Sequence, residues 1–335
     1  MSQGTIYTKV QYAGQTSSYT SAASSSFTAV GRTQSCELNS NNALIFDRGL
    51  GEGLNISNAY YGPFETSGSI TFNPVDFDFL KHWIGGLTGA GSSGDHYILN
   101  EATEVALSTS STALQPFTIE RLNDMETTDS VEQAVGCVGT DFTLSGAVNE
   151  KLVCNANFIA RHTQFKTSGA QTYNAKTDSS FTMLNGTWKW GSTPTAISGV
   201  REFSITYNNQ IVTDTRSIES RFLGQPVMGQ RLYNFSCGII MTSGLATTII
   251  NDFYGYSNGG VYSPEDGSTS ITPTASLEFK VELVNGSNYA YLQLDECVID
   301  RISKPSSLGG GLVILTFEGT AFKGLGNKPI EFWTT

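Results

Sequence analysis

Short runs rich in Val, Ile, Thr, Phe and Tyr, each closed off by a cluster of Gly, Ser, Asn or Asp, follow one another along nearly the whole chain. Such a texture commits a chain to antiparallel β-structure joined by tight turns. The runs lie at Thr5–Gln11, Ala43–Phe46, Gly68–Phe72, Pro116–Leu122, Asp141–Leu144, Leu152–Ala160, Thr187–Trp190, Glu202–Tyr207, Leu232–Met241, Ser276–Val284, Ala290–Gln293, Val298–Ser303 and Leu312–Thr320. In Phe279-Lys280-Val281-Glu282-Leu283 apolar and charged residues alternate, the period of a strand with one wet face.

Only two segments carry a helical period. In Asn73–Gly86, Val75, Phe79 and Trp83 fall four apart, as do Leu80 and Ile84, which makes one apolar stripe. Asn73 is placed to cap this helix, Pro74 suits its first position, Asp76 its positive end, and Gly85 its stop. In Thr242–Gly255, Leu245, Ile249 and Phe253 repeat the spacing and Gly255 closes it.

The two helices superimpose at a shift of 170, Phe79 on Ile249 and Gly85 on Gly255. Three more blocks follow in the same order. Asn41–Asp47 meets Asn208–Asp214 at 167, Phe117–Asn123 meets Phe279–Asn285 at 162, and Cys137-Val138 meets Cys297-Val298 at 160. Slow drift of the shift is what small loop insertions produce. The expected organisation is therefore two tandem related modules, 1–165 and 166–335, joined through the polar stretch Lys166–Ser180. Each is expected to be mainly β, a sandwich or barrel with one short helix on its flank. Each also holds a long polar loop, Asp47–Tyr61 in one and Asp214–Gly229 in the other.

The 335 residues amount to about two domain-sized units, in keeping with the repeat. Charged residues make up only 15% and aromatics 11%, which excludes a disordered acidic tail and disfavours a coiled coil. No apolar run is long enough for a membrane helix, and Met1-Ser2-Gln3-Gly4-Thr5 lacks the features of a signal peptide. A net charge of −11 with 19 Lys and Arg argues against a surface that grips nucleic acid.

Catalytic and metal motifs are missing from the sequence. There is no GxSxG, HExxH, P-loop or EF-hand pattern, and Gly49-Leu50-Gly51-Glu52-Gly53 does not run from a strand into a helix. Five cysteines without a CxxC pair read as free buried thiols rather than as disulfides or zinc ligands. Asp76 and Asp78 point in different directions on a helix, so capping and solvation suit them better than metal binding. Trp188 and Trp190 share one face of a strand, which reads as core before a sugar-stacking platform. No enzyme activity, cofactor or metal is expected.

The layout resembles the major tail tube proteins of tailed viruses in their two-module form. The resemblance is carried by the strand Tyr7–Tyr12, the loop Asp47–Tyr61, Gly68–Phe72 running into Val75–Gly85, and Cys237–Met241 running into Leu245–Gly255. It implies a structural virion protein that closes into rings, which stack with other tail proteins into a hollow tube for genome delivery. A duplicated chain would supply such a ring as a trimer with pseudo-sixfold symmetry, in preference to a hexamer. DNA would pass through the lumen without specific binding, and no membrane is involved. Acidic residues lining the bore would repel phosphate, and Glu120 and Glu282 are the repeat-equivalent candidates for wet strand faces. The mixed charges of the two long loops, Asp47, Arg48 and Glu52 in one and Asp214, Arg216, Glu219 and Arg221 in the other, are candidates for ring–ring contact. Two rival readings are a β-sandwich adhesin or carbohydrate-binding module using Trp188 and Trp190, and a glycoside-acting enzyme using Glu120 or Glu282.

Overall fold

Each β-prone run is a strand in the computed structural model, which describes residues 7–16, 18–24, 26–47, 58–85, 87–88, 98–99, 104–107, 113–124, 130–166, 171–213, 215–217, 220–241, 243–254, 277–285, 288–303, 313–321 and 330–334. The strands of the first half are β1 (Tyr7–Gly14), β2 (Arg32–Asp47), β3 (Asn58–Asn73), β4 (Phe117–Asp124), β5 (Ser130–Ala147), β6 (Val153–Ala160) and β7 (His162–Lys166). Those of the second are β8 (Gly186–Gly191), β9 (Val200–Asn208), β10 (Leu232–Ile240), β11 (Glu278–Asn285), β12 (Asn288–Leu294), β13 (Cys297–Ser303), β14 (Ile314–Ala321) and β15 (Ile330–Thr334). Of the shorter strands, Thr28–Ala29 and Thr195–Ile197 extend the edges of these layers, while Leu87–Thr88 with Ile98–Leu99 and Glu104–Val105 with Ala113–Leu114 form two small separate sheets.

Eight strands form one wide antiparallel sheet in the order β13-β14-β10-β9-β5-β6-β3-β2. Over its first half lies the layer β1-β4-β5-β7, and over its second half the layer β8-β11-β12-β15. Alternation builds the core between the layers. Phe203, Ile205 and Tyr207 of β9 point inward, as do Tyr233, Phe235, Cys237 and Ile239 of β10. They meet aromatics from the covering layers: Phe235 stacks on Phe279 at 5.3 Å, and Phe158 meets Phe117 at 5.9 Å. Most of the buried apolar residues form one continuous cluster through both halves, and Tyr19, Val105, Leu114 and Val138 form a small second one.

Strand β5 belongs to both layers. Its first part pairs with β4 and β7, its second with β6 and β9. It turns the corner at Gly136, whose φ of +65° is left-handed and whose missing Cβ would sit 2.7 Å from the Tyr19 carbonyl. In the second half the same corner separates β12 from β13, and there Glu296 holds a φ of +51°. The halves agree in further detail. The β5–β6 ladder is bulged between Gly139 and Asp141, the β13–β14 ladder between Ile299 and Arg301. The β2–β3 bulge at Thr33/Ser35 has its counterpart in β9–β10 at Val200/Glu202. After each corner a cysteine thiol donates to the carbonyl three residues back, Cys137 to Ala134 and Cys297 to Leu294.

The helices differ from expectation in one respect. The second, α2 (Ser243–Tyr254), is nearly as long as its periodicity predicts, and Thr242 and Gly255 lie outside the described residues. The first is a 3-10 turn, Asp78–Leu80, running into the single α-turn α1 (Lys81–Ile84). Asn73 does not cap it. Asn73 ends β3, and its side-chain amide is used up across the sheet, donating to Leu152 O at 2.7 Å and accepting from Gln34 at 3.0 Å. Pro74 disfavours helical backbone at the residue before it. Asp76 instead accepts from the Asp78 N–H at 3.1 Å and pairs with Lys176. Gly85 does end the turn, at φ +148° and ψ −168°.

The stretch between the halves is a strap rather than a loose joint. From residue 171 onward it lies on the first half. Gln171 N–H donates to Glu120 (2.9 Å), Asn174 O accepts from Ala29 N–H (3.1 Å), and Phe181 N–H donates to Pro74 O (3.0 Å).

Candidate functional site

The wide sheet has one covered face and one open face. On the open face, side chains pointing away from the core line up in transverse rows, one per strand. The central row runs Ser35, Thr71, Asn155, Thr143, Thr206, Asn234, Thr320 and Val298, each directly opposite the next. None of these residues is buried. Short polar groups knit the strands laterally. Thr71 Oγ1 donates to Asn155 Oδ1 (2.7 Å), the Thr143 and Thr206 hydroxyls meet at 3.1 Å, and Thr320 Oγ1 donates to Asn234 Oδ1 (3.2 Å). In the next row Asn157 Nδ2 donates to Asp141 Oδ1 at 2.6 Å. The flanking rows add Ser69, Ser145, Ser204 and Ser236, the carboxylates Glu37, Asp141, Glu202 and Glu318, and the cation Arg301. The hollows on this face, one lined by Ser204, Thr206, Asn234, Asp300 and Glu318 and one by Ser145, Glu150, Lys151 and Glu202, are open to solvent rather than enclosed.

The sheet is open at both ends. Among the described residues β2 pairs only with β3, and β13 only with β14. Unpaired edges of this length invite a further strand.

A third feature is a projecting arm. Strands β2 and β3 pair from Arg32–Asn73 out to Asp47–Asn58, whereas β6 accompanies β3 only from Thr66 to Phe72. The outer part of the hairpin therefore stands clear of the sheet. It carries exposed Leu44, Ile45, Phe46, Tyr60 and Tyr61. Clustered exposed apolar side chains mark a contact surface.

The charged candidates distribute as follows. Arg216 pairs with Glu65 at 3.1 Å. Arg221 donates to Asn42, lies over the Tyr61 ring at 5.0 Å, and its carbonyl accepts from the Phe64 N–H at 2.9 Å. Described residues of the second long loop thus pack on the base of the arm, with both arginines bracing it within one chain. Asp47 ends β2, and Arg48, Glu52, Asp214 and Glu219 lie outside the described residues.

Glu120 is not on a wet face. It is fully buried beneath the strap, and its oxygens accept from Gln11 Nε2 (2.8 Å), Gln133 Nε2 (2.6 Å) and Gln171 N–H (2.9 Å). Glu282 keeps some exposure, but it lies in the covering layer of the second half, on the side away from the core, and not on the wide sheet. Burial alone would push its carboxyl up; hydrogen bonds and charge from Lys189 (2.8 Å) and Lys280 (3.0 Å) outweigh this and hold it below the ordinary carboxylate range. A carboxyl lowered on folding contributes stability above the ordinary range and loses it as pH falls through the folded value. Glu282→Gln should therefore cost under about 1 kcal/mol at neutral pH. Urea denaturation followed down the pH scale should show the variant and wild type converging in acid.

The remaining candidates are structural. Trp188 and Trp190 are buried, Trp188 against Phe203, and Trp190 donating Nε1–H to Asp252 of α2 at 2.7 Å. His82 is buried, with burial and the Lys81 charge lowering its pKa to about 3, and its neutral ring donates Nδ1–H to Gln115 O at 2.8 Å. The cysteines are free. Among the described residues no group of three His, Cys, Asp or Glu is placed to hold a metal. No described helix is long and apolar enough to cross a membrane.

Among the described residues a sheet with two open edges, a polar face with scattered carboxylates and an arm with exposed apolar side chains define a β-protein rich in contact surface. A model of the phage tail tube protein family matches residues 7–321, nearly the whole chain. The chain belongs to that family, which places it among self-associating structural proteins of the virion tail. A comparison with curated proteins returned no match.

Proposed function

We propose that this chain closes with copies of itself into rings, that the rings stack into the tail tube, and that the open polar face lines the bore through which the genome passes to the host. The observation that carries this reading is that face: eight strands wide, free at both edges, and dressed in Ser, Thr and Asn. Binding to DNA draws on phosphate neutralisation by clustered cations. A wall of hydroxyls and amides with sparse carboxylates offers none, so a duplex slides along it without being held. Glu37, Asp141, Glu202, Asp300 and Glu318 against Arg301 give the face a net negative charge, which supports the acidic lining expected, with other residues in place of Glu120 and Glu282; the covering layer with Glu282 faces outward.

The two halves act as duplicated modules, 1–165 and 166–335, in support of which stand their shared strand order, bulges and corners. Size selects the copy number. With about 4.8 Å between strands and a tilt of about 40°, two copies close at about 30 Å between backbones, three at about 50 Å and six at about 95 Å. Side chains occupy roughly 10 Å of that. Two copies leave a bore no wider than a duplex, three leave a hydrated duplex room to move, and six leave far more than it needs. The trimer with pseudo-sixfold symmetry follows. Ring–ring contact falls to the arm, whose base Arg216 and Arg221 brace; Asp47, Arg48, Glu52, Asp214 and Glu219 stay candidates for the same contact by their charge. The partners are further copies and the other tail proteins, assembled in the host cytoplasm.

Negative-stain electron microscopy of the purified protein over a concentration series tests the reading. Hollow tubes of uniform width, with three copies per ring, are the expected result. A protein that stays monomeric at every concentration, with added tail initiator, would overturn it.

A further inference from the structure

Deepening the ring reading and resting on it, the fold carries its own template for the joint between copies. Within the chain the two halves meet at a seam, where β5 residues Asp141–Ala147 pair antiparallel with β9 residues Glu202–Asn208. The seam joins unlike edges. β5 is the last strand of the first half of the wide sheet, and β9 is the first strand of the second half. The counterpart of β5 is β13, by the matching bulges and left-handed corners at a shift of 160. The counterpart of β9 is β2, by the matching bulges at a shift of 167. Those two strands are the open edges of the sheet. Strand directions alternate without a break across the sheet, so a β13 edge meets the β2 edge of another copy antiparallel.

We infer that β13 of one copy pairs with β2 of the next in the register of the internal seam. Carrying the seam over by the two shifts sets Arg301 opposite Asn41, Ile302 opposite Ser40, and Ser303 opposite Asn39 of the next copy. Ser303 and Asn39 are both exposed in the single chain. They stand for Thr143 and Thr206, whose hydroxyls touch at the seam. Asn209 N–H bonds Thr140 O at 2.7 Å. Counting along from that bond puts Thr143 and Thr206 at a pair without mutual backbone hydrogen bonds, where side chains approach most closely. The contact is head-to-tail, and it repeats until the ring closes.

The test is covalent capture in assembled rings of the double variant Asn39→Cys/Ser303→Cys. The native thiols do not interfere, since burial pushes the Cys36 pKa up to about 12 and the others higher still. After mild oxidation, denaturing gels should show the monomer lost to one closed species of ring size, while each single variant stays monomeric. A second measurement needs no substitution: hydrogen exchange of wild-type protein should show the Ser40 and Ile302 amides becoming protected on ring formation. Rings seen by microscopy without cross-linking at this pair and without protection at those amides would overturn the register and leave the ring reading intact. Capture by Ser303→Cys with Asn41→Cys in place of Asn39→Cys would do the same. Failure of wild-type protein to form rings would overturn both.

Discussion

Trp83→Ala will lower the unfolding free energy by about 4 kcal/mol, a large share of what a chain of this kind has. The indole is fully buried. Its ring meets Phe79 at 4.7 Å and Phe117 at 5.3 Å, and Nε1–H donates to Asn157 O at 2.8 Å. It rests on Gly139 of β5, where a Cβ would come within 2.5 Å of the ring. The Trp83 carbonyl accepts from the buried Asn209 amide (2.7 Å), which also donates to Gly139 O (2.9 Å). One residue thus holds the short helix, the wide sheet and the chain leaving β9. The alanine variant leaves a void that rigid neighbours cannot fill. Trp83→Phe, which keeps most of the volume but strands the Asn157 carbonyl, should lose about 1–2 kcal/mol. Equilibrium urea unfolding of the two variants checks both figures, and equal losses would show that packing is not the main term.

Glu120→Leu is the second large effect, about 3 kcal/mol. Leucine would leave Gln133 Nε2 and the Gln171 N–H without acceptors and Gln11 Nε2 with only the Gln171 carbonyl at 3.2 Å, and the lost bonds carry a desolvation penalty. Gln133 cannot turn its amide round to help, because its oxygen already accepts from Gln164 at 2.6 Å. Glu120→Gln keeps the shape but faces one donor with another, and should cost about 1–2 kcal/mol. The strap gives a local readout. In both variants the Gln171 amide should exchange with solvent faster than in wild type, and earlier than the core strands.

The strands were legible because a period of two survives in the sequence wherever one face is apolar, as in Glu202–Tyr207. The arm was not. Arg32–Asn42 is mostly polar, and Asn41, Asn42, Gly62 and Pro63 read as turn residues, yet both strands run on past them, the ladder shifting register between Asn42 and Leu44 opposite Gly62 and Pro63. The short helix shows a related limit. Phe79, Leu80, Trp83 and Ile84 are all buried as their stripe demands, but Asn73 and Asp76 spend their side chains on distant partners, which local spacing does not report. Glu120 was misplaced for the same reason. Its strand alternates correctly, and what covers the supposed wet side arrives 51 residues later. For the candidate site, the Ser, Thr and Asn that dress the face lay in the sequence strand by strand. That these strands form one sheet, open at β2 and β13, is a fact of topology.

The corners at Gly136 and Glu296 have a mechanical consequence. In each half the chain passes from the covering layer to the wide sheet along one ribbon, uninterrupted in β5 and bent between β12 and β13. The wide sheet and its covering layers are therefore tied by covalent backbone as well as by the oily filling between them. Load on the wide sheet is handed to the covering layer through these ties, and delamination would have to peel backbone ladders rather than merely part side chains.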